Sequence, residues 1–161
     1  MSIGRGDRLP EATFRVLGSE GIEKLSTSDV FAGKKVVLFA VPGAFTPTCH
    51  LKHLPGFLDN ADAFKKKGVH TVACVAVNDP FVLDAWSKAT VAKGKVLFLS
   101  DGNGEISKAI GLDFDGSGIG LGLRSMRYAM LVDDGVVEVL SLEDSPGVAD
   151  VSTAEKLLAR V

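Results

Sequence analysis

The chain has two cysteines, Cys49 and Cys74, and they lie in opposite kinds of sequence. Cys49 ends the segment Val41-Pro42-Gly43-Ala44-Phe45-Thr46-Pro47-Thr48-Cys49, which is polar and proline-bearing. Cys74 lies inside Val72-Ala73-Cys74-Val75-Ala76-Val77, which is apolar throughout. A thiol works as a nucleophile only as its thiolate, and an ordinary cysteine, titrating near ~8.5, is only a few per cent anionic at neutral pH. Exposed backbone N–H groups and the partial positive charge at a helix start both favour the anion. Cys49 is placed to receive both, in the first turn of a helix just after a buried strand. Pro42 and Pro47 stiffen its loop. Thr46, three residues earlier, can set its hydroxyl beside the sulfur. The bland alternative, a buried inert cysteine, suits Cys74 better than Cys49.

The elements that must position Cys49 are legible from apolar runs. Lys35 to Val41 is a continuous run that reads as a strand buried on both faces. Thr71 to Val77, Val96 to Ser100, Tyr128 to Val132 and Val136 to Leu140 read as further strands. Asp133-Asp134-Gly135 is a hairpin turn between the last two. Helical patterns lie between the strands. One runs from Pro47 to about Lys67, with Pro55 expected to kink it. A second opens on Asp79-Pro80 as N-cap and first helical residue and ends near Ala92. A third covers Glu105 to Ile110 and stops at Gly111. A last one opens on Ser152-Thr153-Ala154-Glu155, a capping-box pattern, and runs to the C-terminus. Residues before Lys35 add an N-terminal hairpin with weak strand signals. Alternating strands and helices ending in a hairpin and a helix define an α/β domain of thioredoxin-like arrangement, a central mixed sheet flanked by helices. One domain over residues 1–161 suits the length.

Composition narrows the function. Hydrophobic residues make up 46% and charged residues 24%, a globular balance. A net charge of -2 offers no basic footprint for nucleic acid. No apolar run approaches the ~20 residues of a membrane span, and the start lacks the apolar core of a secretory signal. Two cysteines are too few for a disulfide scaffold and fit a reducing compartment, the cytoplasm first, or an organelle after loss of a presequence.

Pro42-Gly-Ala-Phe-Thr-Pro-Thr-Cys49 resembles the peroxidatic-cysteine motif of the peroxiredoxins, Pro-x-x-x-Thr/Ser-x-x-Cys. The continuation His50-Leu-Lys-His-Leu-Pro-Gly-Phe57, then Val77-Asn-Asp-Pro-Phe81, then Leu123 to Asp133, is similar to the plant type II, or fifth-class, subfamily. The resemblance spans almost the whole chain in the same motif order. It implies that Cys49 attacks a peroxide oxygen and becomes a sulfenic acid. It implies that Thr46 hydrogen-bonds the peroxide, that Pro42 packs over the sulfur, and that Arg127 places a guanidinium beside sulfur and substrate. Displacement at an O–O bond spreads negative charge over sulfur and both oxygens, and fixed donors aimed there lower the barrier. Arg127 as a surface ion pair is the competing reading. Arg124 is a second candidate at the pocket rim. Phe45, Phe81 and Phe114 are candidates for an apolar wall that favours organic hydroperoxides.

The resemblance also implies hydrogen peroxide, alkyl hydroperoxides and peroxynitrite as substrates, no cofactor, and a homodimer built near the active-site loops. Plant relatives use a cysteine at the place of Cys74 as resolving thiol. Joining Cys49 to it needs Cα atoms within ~7 Å, and hence local unfolding. The other route is an external thiol, glutathione with glutaredoxin first and thioredoxin second. A general thiol–disulfide oxidoreductase wants Cys-x-x-Cys, and Thr46 stands where the partner thiol would be. A non-catalytic redox-signalling module on the same fold is the remaining alternative.

Several features invite other readings. His50 and His53 could face one way, but nothing nearby completes a zinc site, so no metal is expected. They read as solvated or packing side chains whose positive character would help an anionic cysteine. Gly116 to Gly122 does not match a phosphate-binding glycine pattern and reads as a flexible loop before Arg124. Trp86 reads as helix packing.

Overall fold

The computed structural model describes residues 2–161. Its centre is a pair of parallel strands, β3 (Lys35–Ala40) and β4 (Thr71–Ala76), buried on both faces as their unbroken apolar runs require. A seven-stranded sheet grows outward from them. β5 (Leu97–Ser100) joins β4 in parallel, and the N-terminal hairpin of β1 (Thr13–Gly18) and β2 (Gly21–Ser26) closes that side antiparallel. On the other side, β8 (Tyr128–Asp133) and β9 (Val136–Leu142) add antiparallel to β3, giving the order β2-β1-β5-β4-β3-β8-β9. The sheet is mixed, as expected. Its β8–β9 turn holds Asp134 at φ 48° and Gly135 at φ 80°, the left-handed pair that a two-residue hairpin loop demands.

Strand alternation sends Val37, Phe39, Val41, Val72, Cys74 and Ala76 to one core. It sends Val36, Leu38, Ala40, Ala73 and Val75 to the other. The first core is covered by α2 (Leu54–Lys66), α3 (Pro80–Ala89) and α5 (Ala154–Leu158) through Leu54, Phe57, Phe64, Leu83, Trp86 and Leu157. The second is covered by α1 (Thr27–Phe31) and α4 (Glu105–Ala109) through Val30, Phe31 and Ile106.

Three local expectations are revised. The helix expected over Pro47 to Lys67 is two pieces, a π-helical turn at Cys49–His53 and then α2. Pro55 explains the break. It has no N–H to give, so the ladder slips and Leu54 N–H donates five residues back to the carbonyl of Cys49. The C-terminal helix starts one residue later than its sequence pattern suggests. Thr153 is the N-cap, bonded by Lys156 N–H, because the Ser152 hydroxyl is spent on Glu143. The segment from Gly116 to Gly122 links a small antiparallel pair, β6 (Asp113–Asp115) and β7 (Leu123–Ser125), and contains a 3-10 turn. Short α1 was not foreseen, although Ser26 and Asp29 form a full capping box at its start.

Candidate active site

Cys49 begins the π-helical turn at the carboxyl end of β3, and its side chain is fully buried. Arg127 lies between β7 and β8, next to Tyr128, and is buried as well. Its Nη2 donates to Cys49 Sγ at 2.9 Å, its Nη1 to His53 Nδ1 at 2.9 Å, and its Nε to the Pro146 carbonyl at 3.1 Å. The guanidinium is therefore held in three directions. No carboxylate pairs with it among the described residues, so the sulfur is the one atom in contact with it that can carry a compensating negative charge. The surface ion-pair reading of Arg127 fails on burial alone.

His53 is the residue that sequence reasoning undervalued. Its ring is buried, edge-on to Phe39 at 5.2 Å and Phe57 at 5.4 Å. Nδ1 faces the donor-only Arg127, so Nδ1 accepts and Nε2 carries the hydrogen, which it donates to the Ser152 carbonyl at 2.9 Å. Burial, then the Arg127 charge, lowers its pKa to about 4, against the smaller opposing pull of Ser152 and Glu143. The expected positive character is thus absent at neutral pH. The available signal was spacing, since His53 lies four residues beyond Cys49 on one helical turn. His50 points elsewhere, and its Nδ1 accepts from Trp86 Nε1 at 3.0 Å. Trp86 is packed in α3 as expected, with this added bond. Among the described residues no group of three His, Cys, Asp or Glu is gathered to hold a metal.

Segment 143–152 carries the supports. The Glu143 carboxylate accepts from the N–H of Asp150 and Ser152 and from the Ser152 hydroxyl, each at 2.6–2.7 Å. Burial opposes its ionisation, but these donors outweigh it and hold the carboxyl below its ordinary range. Glu143 N–H also donates to the Arg127 carbonyl at 3.1 Å. The segment so fixed presents Pro146 O to Arg127 and Ser152 O to His53.

A cavity of about 330 Å³ opens onto Arg127, lined among others by Pro42, Thr46, Phe114, Ile119, Leu121 and Pro146. Thr46 Oγ1 donates its hydrogen to Gly43 O at 2.7 Å, so toward any other group that oxygen can only accept. Arg124 does not line the cavity. It braces it, with Nη1 on Pro42 O at 3.2 Å and Nε on Leu121 O at 2.9 Å. Gly43 permits this brace, since a Cβ there would lie 2.8 Å from Arg124 Nη1. Of the three phenylalanines expected in the apolar wall, only Phe114 is there. Phe81 is exposed, and Phe45 stacks on His50 at 5.9 Å, because its left-handed backbone (φ 65°) turns the ring away. Asn78, overlooked in the sequence, anchors the loop by accepting from Ala44 N–H at 2.9 Å.

Cys74 is fully buried in β4, paired with Phe39 on one side and Phe98 on the other. Burial, then the charge of Cys49, pushes its thiol well above the ordinary range. Both cysteines are free.

The neutral His53 makes a testable contribution to stability. Below pH 6.5 an unfolded histidine takes a proton that the folded one refuses until about pH 4. Stability is therefore lost as pH falls through that window, by up to about 3 kcal/mol, and the loss levels off below it. Urea unfolding of wild type and His53→Gln between pH 7.5 and pH 4 should show a steeper acid loss in wild type.

The fold and a buried cysteine under a fixed arginine define the class: the Redoxin family model matches residues 5–158. The chain belongs to the peroxiredoxins, thiol-dependent peroxidases, and plant type II peroxiredoxins are among its relatives. It is 47% identical over 98% of its length to "Peroxiredoxin-2E, chloroplastic" of Arabidopsis thaliana, covering 68% of that protein. It is 45% identical to Peroxiredoxin-2B of the same plant, covering 97% of this chain and 96% of the relative. Reduced Prx3 of Vibrio vulnificus, solved in complex with hydrogen peroxide, superposes with a TM-score of 0.93 at 51% identity, covering 98% of each chain. The protein is a thiol-dependent peroxidase of thioredoxin-like fold.

Proposed function

We propose that Cys49 is the peroxidatic nucleophile and that it serves hydrogen peroxide and organic hydroperoxides. The observation that carries this is the Arg127 Nη2–Cys49 Sγ contact of 2.9 Å, made by an arginine that also lines a cavity. The Cys49 sulfur attacks the nearer peroxide oxygen. The S–O bond forms as O–O breaks, and the leaving oxygen departs as water or alcohol once protonated. Arg127 stabilises the charge on sulfur and oxygens. Thr46 accepts from the peroxide hydroxyl, Pro42 shields the sulfur, and Arg124 holds Pro42 in place. Residues 1–161 act as one domain in this reading.

The apolar wall supports acceptance of organic hydroperoxides. Phe114→Ala should lower reactivity with cumene hydroperoxide about 5- to 10-fold more than with hydrogen peroxide, the scale of one lost apolar contact surface. Equal loss on both substrates in stopped-flow mixing would remove Phe114 from the specificity wall.

The sulfenic acid returns to thiol through an external thiol, glutathione with glutaredoxin first and thioredoxin second, or through Cys74. The burial of Cys74 between two strands favours the external route. Two unpaired cysteines suit a reducing compartment, the cytoplasm in the first instance. Exposed Phe45 and Phe81 support a homodimer, which sedimentation would test.

A further inference from the structure

Any thiol that reduces the Cys49 sulfenic acid must touch its sulfur, yet that side chain is fully buried. The π-helical turn Cys49–His53 must therefore open in the second half of the cycle. Its own backbone favours opening. The Leu54 N–H reaches back five residues, and Pro55 gives no N–H to the ladder. Phe45 just upstream holds φ 65°, a conformation strained for a bulky side chain. Side chains must then hold the turn shut. His53 does so from the arginine side, where it also supports Arg127. From the opposite side the hold is the 3.0 Å bond from Trp86 Nε1 to His50 Nδ1, with Phe45 stacked on His50 and 6.4 Å from Trp86.

We propose that His50 and Trp86 form a latch that sets how often the Cys49 turn opens, and so are positioning residues for the reductive half of the reaction. The inference rests on Cys49 being the peroxidatic residue. The side chains of His50 and Trp86 contact neither Cys49 nor Arg127 through any hydrogen bond in the structure and do not line the cavity. In the step they govern, a reductant thiolate attacks the sulfenic sulfur, S–S forms, S–O breaks, and hydroxide leaves to be protonated to water. Its rate scales with the open fraction. While that fraction stays small, the closed form that meets peroxide is hardly depleted.

His50→Leu removes the acceptor, Trp86→Phe removes the donor, and His50→Asn keeps an acceptor near the place of Nδ1. Each variant would be oxidised with tert-butyl hydroperoxide and its sulfenic form mixed with glutathione. His50→Leu and Trp86→Phe should each speed the glutathione reaction about 3- to 10-fold, the scale of one hydrogen bond. Peroxide oxidation should stay within about 2-fold of wild type. Amide hydrogen exchange at residues 49–53 should rise by the same factor as the thiol reaction. The double variant should gain no more than either single one, and His50→Asn should track wild type. Unchanged exchange and thiol rates, or a parallel fall in both half-reactions, would overturn the latch. If one variant fails to fold, the other decides. Should Cys49→Ser still consume peroxide, the reading of Cys49 falls instead, and exchange alone then judges the latch.

Discussion

Replacing Cys49 by serine should reduce peroxide consumption to the uncatalysed background, a loss on the order of 10⁴-fold or more, as for removal of any covalent nucleophile. A hydroxyl fills nearly the same volume but is a far weaker nucleophile, so the buried guanidinium of Arg127 would face a serine oxygen in place of the polarisable sulfur. The same change at Cys74 should leave the first oxidation intact. Cys74 sits between Phe39 and Phe98 with its thiol held protonated by burial, a poor nucleophile for peroxide. Single-turnover mixing with hydrogen peroxide separates the two variants without any reductant.

Arg127 carries the second large effect. Arg127→Gln should slow oxidation of Cys49 by about 10²- to 10³-fold, the scale of losing one preorganised donor at developing charge. Arg127→Lys should recover only part of this. The guanidinium serves Pro146 O, His53 Nδ1 and Cys49 Sγ at once, in a fork that an ammonium cannot reproduce. Losing the arginine also removes the second cause of the low pKa of His53. In Arg127→Gln that pKa should rise from about 4 toward its ordinary value, with burial, the larger cause, still holding it down. Titration of His53 by NMR in both proteins reads this directly. An unshifted His53 would mean that Arg127 does not act on its ring.

Much of this architecture is local, and so legible in sequence. Lys35 to Val41 and Thr71 to Val77 must be doubly buried strands because no polar residue interrupts them. Asp79-Pro80 caps α3 as its residue types require, with Val82 N–H on the Asp79 carboxylate. The motif points to Cys49, Thr46, Pro42 and Arg127; the last three line one cavity, and Arg127 touches Cys49. What stayed hidden depends on contacts far apart along the chain. His53 gains its role from Arg127 and from Ser152, 99 residues away. Glu143 looks like an ordinary surface acid until the fold buries it against Ser152. Phe45 looked like a pocket residue, and one left-handed dihedral sends it to His50 instead. Periodicity carries the side of a strand; it does not carry the direction of a loop side chain.

The most direct test of the central claim is mass spectrometry of the reduced protein given one equivalent of tert-butyl hydroperoxide in the presence of dimedone, which traps sulfenic acids. The account predicts a single adduct on the peptide bearing Cys49 and none on the peptide bearing Cys74. An adduct on Cys74, or consumption of the peroxide with Cys49 left unmodified and unpaired, would contradict it.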